Sequence, residues 1–123
     1  MGPGTEMERW GAEAFRGERL DRPGDWGVCF LAEWCPFCID YLRRFKKLDG
    51  AADFPIAVAD VTDLESPLWE IFRLDVVPTL VAFRGGTAIW RKDGVHMVGL
   101  REEDLGELRA ALSRPHPRGT DAP

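Results

Sequence analysis

The sequence predicts an α/β domain: a central mixed sheet with helices layered on both of its faces. Three observations point there. Helix-like and strand-like patterns alternate through the first two-thirds of the chain. A hairpin and a closing amphipathic helix follow them. Cys35–Pro36–Phe37–Cys38 falls where a buried strand gives way to a helix.

Residues 11–20 (GAEAFRGERL) predict a short helix with Ala12, Phe15 and Leu20 inward, broken by the RPGD of 22–25. The apolar, β-rich run 26–32 (WGVCFLA) predicts a buried central strand. From Cys38 onward, Ile39, Leu42, Phe45 and Leu48 recur at threes, a helical face ending at Gly50. A second buried strand is predicted over 55–61 (PIAVADV). Ser66–Pro67 then starts a short helix, serine as its cap and proline in its first turn, with Leu68, Ile71 and Phe72 inward. The run 76–83 (VVPTLVAF) predicts a strand with Pro78 near its start, where a missing N–H does least harm. Gly85–Gly86 turns the chain into a strand over 87–90, and Asp93–Gly94 turns it again into 95–98. A final helix over 101–112 places Leu105, Leu108, Ala111 and Leu112 on one face.

Size and composition bound the function. The chain has 123 residues, 45% hydrophobic and 30% charged, as expected of one compact domain. The expected organisation is a flexible leader over 1–9, the domain over 10–112 and a disordered tail over 113–123. The longest apolar runs are far too short to span a bilayer, and no basic segment precedes an apolar one at the N-terminus, so neither a membrane span nor a secretory signal is read. The net charge of −5 and the lack of a basic stripe argue against nucleic acid as a partner. Arg43, Arg44, Lys46 and Lys47 have the spacing of a solvated helix face.

The cysteines carry the chemistry. Three of them in a chain with no export signal suit a cytoplasmic protein whose CxxC is catalytic or metal-binding rather than a disulfide framework. At a strand-to-helix junction, the first sulfur lies by unpaired backbone N–H groups and the positive end of the helix dipole, a setting that favours thiolate. Cys35 is then expected as an exposed attacking sulfur, and Cys38, one turn on and on the buried side, as its shielded resolving partner. Pro36 stiffens the link between them, and Trp34 and Phe37 are expected to flank the sulfur with apolar surface. A zinc site needs about four ligands. The other candidates are Cys29, His96 and His116, and with no second CxxC and no HxxxH the metal reading is the weaker one. His96 and Glu33 read as surface residues.

FLAEWCPFC before a helix, VVPTLVAF about forty residues later, and VGL before a last amphipathic helix together resemble the thioredoxin superfamily over roughly residues 10–112. The resemblance implies a thioredoxin-like three-layer α/β/α fold and thiol–disulfide exchange through Cys35 and Cys38, with no bound cofactor. It implies disulfide-containing protein substrates and a thiol electron donor or reductase as partners. Pro78 matches the family's cis proline, Val77 the residue whose backbone pairs with an incoming substrate strand, and Gly99 the glycine that leaves room for it. With Trp34, Pro36 and Phe37, these are the expected substrate-binding residues.

The sequence also departs from that family. Pro36–Phe37 between the cysteines is closer to the Pro-aromatic pair of glutaredoxins, although their Gly-Gly motif has no clear match; Gly85–Gly86 lies in a hairpin. The aspartate that thioredoxins bury beneath the cysteines falls at Cys29, and the lysine near it around Val58. The stretch 87–98 is longer than the corresponding thioredoxin hairpin. The alternative is a binding module on a redox fold, holding an iron–sulfur cluster with glutathione or docking a protein without disulfide turnover.

Overall fold

The structure is a computed structural model and describes residues 7–48, 54–94, 100 and 102–113. Among these residues, a five-stranded sheet is flanked by three α-helices. In chain order come β1 (Glu8–Trp10), a 3-10 turn (Ala12–Ala14), β2 (Phe15–Arg16), β3 (Arg19–Leu20), β4 (Asp25–Leu31), α1 (Pro36–Lys46), β5 (Ile56–Asp60), α2 (Leu68–Ile71), β6 (Thr79–Arg84), β7 (Thr87–Asp93) and α3 (Glu102–Ser113). The sheet order is β1-β5-β4-β6-β7, and β2 and β3 form a separate hairpin. β5 runs parallel to both β1 and β4, whereas β6 is antiparallel to β4 and β7, so the sheet is mixed as expected.

Strand β4 sets the two faces through its alternation. Phe30 faces an aromatic cluster made with Phe15, Phe72 and Phe83, their ring centroids 4.9–6.2 Å apart. Gly27 and Cys29 point the other way. A Cβ at Gly27 would meet Leu108 of α3, and Cys29 lies level with Val58 on β5 and Leu80 on β6. α1 and α3 cover this second face, while the hairpin and α2 cover the first. Arg84, at the far end of β6, donates to both oxygens of Asp25 (3.1 Å each) and to the Leu112 carbonyl (3.0 Å), tying α3 to the sheet.

Several expectations change. The helix expected over 11–20 is one 3-10 turn followed by the β2–β3 hairpin. Gly17 takes φ +59° at the turn, and the arms alternate, with Phe15 and Leu20 buried and Arg16 and Arg19 exposed. A period of two, not 3.6, buries the apolar residues here, and a ten-residue helix has little intrinsic stability to oppose it. Strand β1 begins at Glu8, inside the expected leader, and pairs with β5. α1 starts at Pro36 rather than Cys38, and its buried residues are Cys38, Tyr41 and Phe45. Ile39, expected inward, is 53% exposed because it lies about 100° around the helix from Cys38. β6 begins only at Thr79, and β7 runs on to Asp93. The strand expected over 95–98, with His96, lies outside the described residues, as do Gly99 and most of the expected leader and tail.

Candidate active site

The parallel strands β4 and β5 end at the same edge of the sheet, and β6 starts there, so three loops converge at that edge. The first loop delivers the CxxC. Cys35 is the N-cap of α1, with extended backbone (φ −100°, ψ 112°). Its sulfur accepts from the Cys38 N–H at 3.3 Å, and its carbonyl accepts from the N–H of Cys38 and Ile39 at 3.0 and 3.1 Å. Pro36 follows in the first turn, where it has no donor to leave unpaired. The helix terminus thus points a backbone dipole at the Cys35 sulfur.

The third loop meets that sulfur from the other side. The Val77–Pro78 peptide bond is cis. The Cys35 S–H donates to the Val77 carbonyl at 3.5 Å, and the Thr79 hydroxyl donates to the Val76 carbonyl at 3.0 Å. Val77 and Pro78 are both buried. Cys35 itself is only 5% exposed, which corrects the expectation of an open sulfur. The Val77–Pro78 loop leans over it, a contact 42 residues away in sequence.

Cys38 is fully buried. Burial pushes its thiol well above the ordinary range, and a hydrogen bond to the Cys35 sulfur pushes it further. Cys29, also fully buried, lies in the sheet beneath the pair. Burial again raises its thiol, and the nearby Cys35 adds to the effect. All three are free thiols. Among the described residues, no group of three or more His, Cys, Asp or Glu side chains stands close enough to hold a metal ion.

The second loop braces the first, a role that none of the residue patterns above anticipated. Asp60 Oδ1 accepts from both the N–H (2.9 Å) and the hydroxyl (2.5 Å) of Thr62. Thr62 Oγ1 in turn accepts from the Glu33 N–H, and the Thr62 carbonyl from the Trp34 indole N–H, both at 2.9 Å. Arg9 of β1 closes the set with a 3.0 Å ion pair to Asp60. Partial burial pushes the Asp60 carboxyl up, but the bonds from Thr62 and Arg9 outweigh it and hold the group below its usual range. Trp34, 52% exposed, stacks on Trp69 of α2 at 6.2 Å and 10° between planes. The Trp69 indole N–H reaches the carbonyls of Val61 and Asp63. The signal for this brace was Asp60-x-Thr62 at a strand end, the spacing of an Asx turn. Phe37 is half-buried against the core.

A mixed sheet with flanking helices and a cysteine pair at the start of α1 defines the thioredoxin fold. Among the solved structures that it resembles are several thioredoxins. A thioredoxin point mutant from Halobacterium salinarum matches with a TM-score of 0.70 at 21% identity, over 95% of this chain and 99% of that one. Mitochondrial thioredoxin 3 from Saccharomyces cerevisiae, in its oxidized form, matches at 0.66 and 22% over 86% and 95%. Thioredoxin f from spinach chloroplast matches at 0.69 and 16% over 88% of each chain. No protein-family model and no curated protein sequence matches the chain.

Proposed function

We propose that this protein is a thiol–disulfide oxidoreductase acting on protein disulfides through Cys35 and Cys38. The observation that carries the reading is the convergence on one sulfur: Cys35 receives the Cys38 N–H at the α1 terminus and touches the Val77 carbonyl across the cleft. In the first step the Cys35 thiolate attacks a substrate disulfide and releases one substrate thiolate, forming a mixed disulfide. Cys38 then attacks the Cys35 sulfur and its proton passes to the departing substrate sulfur, while the thiolate released first takes from solvent the proton that Cys35 gave up. The substrate leaves as a dithiol, reduced by two electrons, and Cys35–Cys38 is left as a disulfide. A thiol donor or reductase restores the dithiol. Val77 and Pro78 hold the substrate strand, and Trp34, Pro36 and Phe37 shape the groove; Gly99, outside the described residues, is assigned to it by the resemblance alone. The cysteines carry both electrons, so no cofactor is required. The reducing cytoplasm is the setting in which a chain with three free cysteines keeps such a pair reduced. No observation on the described residues favours a binding module without turnover.

The first test is a redox titration in glutathione buffers, read by Trp34 fluorescence and checked by thiol trapping. A two-electron transition is expected in the wild type and none in Cys35→Ser. Cys38→Ser should accumulate a mixed disulfide with a substrate protein. A wild-type chain with no transition refutes the proposal.

A further inference from the structure

The surface around Cys35 is unusual in two independent respects. Of the four large hydrophobic residues exposed among the described residues, three lie on the segments that bear the cysteines and their brace: Trp34, Ile39 and Leu64, the last 71% exposed. Apolar groups left in water beside a reactive sulfur mark a contact surface. The charge there is also one-sided. Segments 32–40 and 61–78 carry Glu33, Asp40, Asp63, Glu65, Glu70 and Asp75 against Arg73 alone.

Few of these acids are neutralised internally. Asp40 pairs with Arg44 at 3.7 Å, and Asp63 accepts from the Glu65 N–H. Glu33, Glu65, Glu70 and Asp75 are exposed and, among the described residues, have no cationic partner. The α1 cations do not compensate. Arg44 is drawn to Asp40, and Arg43 lies seven residues beyond Pro36, about 10 Å along the helix, more than one screening length at physiological salt.

We propose that the substrates of this site are protein disulfides flanked by lysine or arginine beside an aliphatic residue. This rests on the oxidoreductase reading and specifies its substrate class. The aliphatic residue packs on the stacked Trp34–Trp69 pair and Leu64, and the cations meet Glu33, Glu65 and Asp75 at the rim. Cationic side chains also suit the exposed indole face of Trp34. Charge of this kind acts chiefly on the rate of encounter, so it is read in kinetics and in salt dependence.

The test uses two synthetic disulfide-looped peptides, identical except for lysine or glutamate beside their cysteines. Their rates of oxidising the reduced protein are each divided by the rate for uncharged hydroxyethyl disulfide. The same peptides reacting with dithiothreitol correct for intrinsic reactivity. At about 10 mM salt the lysine peptide should react about tenfold faster than the glutamate peptide. The gap should close at about 1 M salt, where the screening length is ~3 Å, and in the Glu33→Gln/Glu65→Gln/Asp75→Asn variant. Equal corrected rates at low salt, or a preference that survives in the variant, overturn the proposal. If hydroxyethyl disulfide and both peptides all fail to react, the oxidoreductase reading itself falls, and this inference with it.

Discussion

Cys29 shows how much one side chain decides at this site. It lies level with Val58 and Leu80 on the neighbouring strands, in the layer that packs toward α1. In the family that the sequence resembles, that position holds a carboxylate able to take the resolving cysteine's proton. Here it holds a thiol that burial keeps protonated, so this position offers Cys38 no carboxylate. Cys29→Asp should therefore speed disulfide reduction near neutral pH, and stopped-flow tryptophan fluorescence would register it; an unchanged rate would show that proton removal does not limit resolution. The same burial has a consequence for stability. Above about pH 8.5 the thiols of the unfolded chain ionise, while folded Cys29 and Cys38 keep their protons. The unfolded state then binds fewer protons, and stability falls as pH rises, by about 1.4 kcal/mol per pH unit for each such thiol. Urea unfolding under reducing conditions at several alkaline pH values should show this slope roughly halved in Cys29→Val. The identity of the cysteine pair was legible at this scale because a strand, a CxxC and a helix pattern are adjacent in sequence. The shielding of Cys35 was not, since it comes from Val77, 42 residues away.

Among the elements, the brace between the β5–α2 and β4–α1 loops has the most direct hold on the site. Thr62→Val removes the acceptor for the Glu33 N–H and the donor to Asp60. The expected loss is about 1–3 kcal/mol, toward the lower end because water reaches the Glu33 amide. Trp34 should become more accessible to a fluorescence quencher, and Thr62→Ser should restore both properties. A Thr62→Val protein with wild-type quenching would show that Trp34 is held by its stack on Trp69 and its bond to the Thr62 carbonyl, without help from the Thr62 hydroxyl. Apolar spacing located β4, β5, β6 and the last helix to within a few residues. On and just past α1 it placed Phe45 and Leu48 inward correctly but misplaced Ile39, which is adjacent in sequence to Cys38, and only the packed sheet chooses between the two. The 11–20 segment failed for a similar reason: its few apolar residues fit either period, and the cluster of Phe30, Phe72 and Phe83 selects the hairpin that inserts Phe15.

Across the whole molecule, the packing of α3 on the sheet offers a paired test. A Cβ at Gly27 would stand 2.9 Å from Phe54 Cε1 and 3.2 Å from Leu108 Cδ2. Gly27→Ala should cost about 1–3 kcal/mol by overpacking, lowering the urea midpoint. Gly106 lies on the exposed side of α3, and a methyl group there would meet no other atom within 4 Å. Gly106→Ala should raise the midpoint, adding up to about 1 kcal/mol of stability, since alanine loses less conformational freedom in a helix. Equal effects at the two sites would contradict the close seating of α3 on β4.

The order of residues along the chain was enough for the α/β class and for the strand-to-helix junction with its cysteine pair. These are properties of neighbouring residues and of one-dimensional periodicity, which local geometry turns directly into structure. Three-dimensional packing was needed to choose which carbonyl faces the Cys35 sulfur and which residues brace Trp34. It also brought to one edge of the sheet the two separate segments that carry the exposed apolar and acidic side chains. Periodicity tells a residue to face inward or outward but does not name its partner. The partner is chosen when strands β4, β5 and β6 pair in register and bring their loops to a single edge.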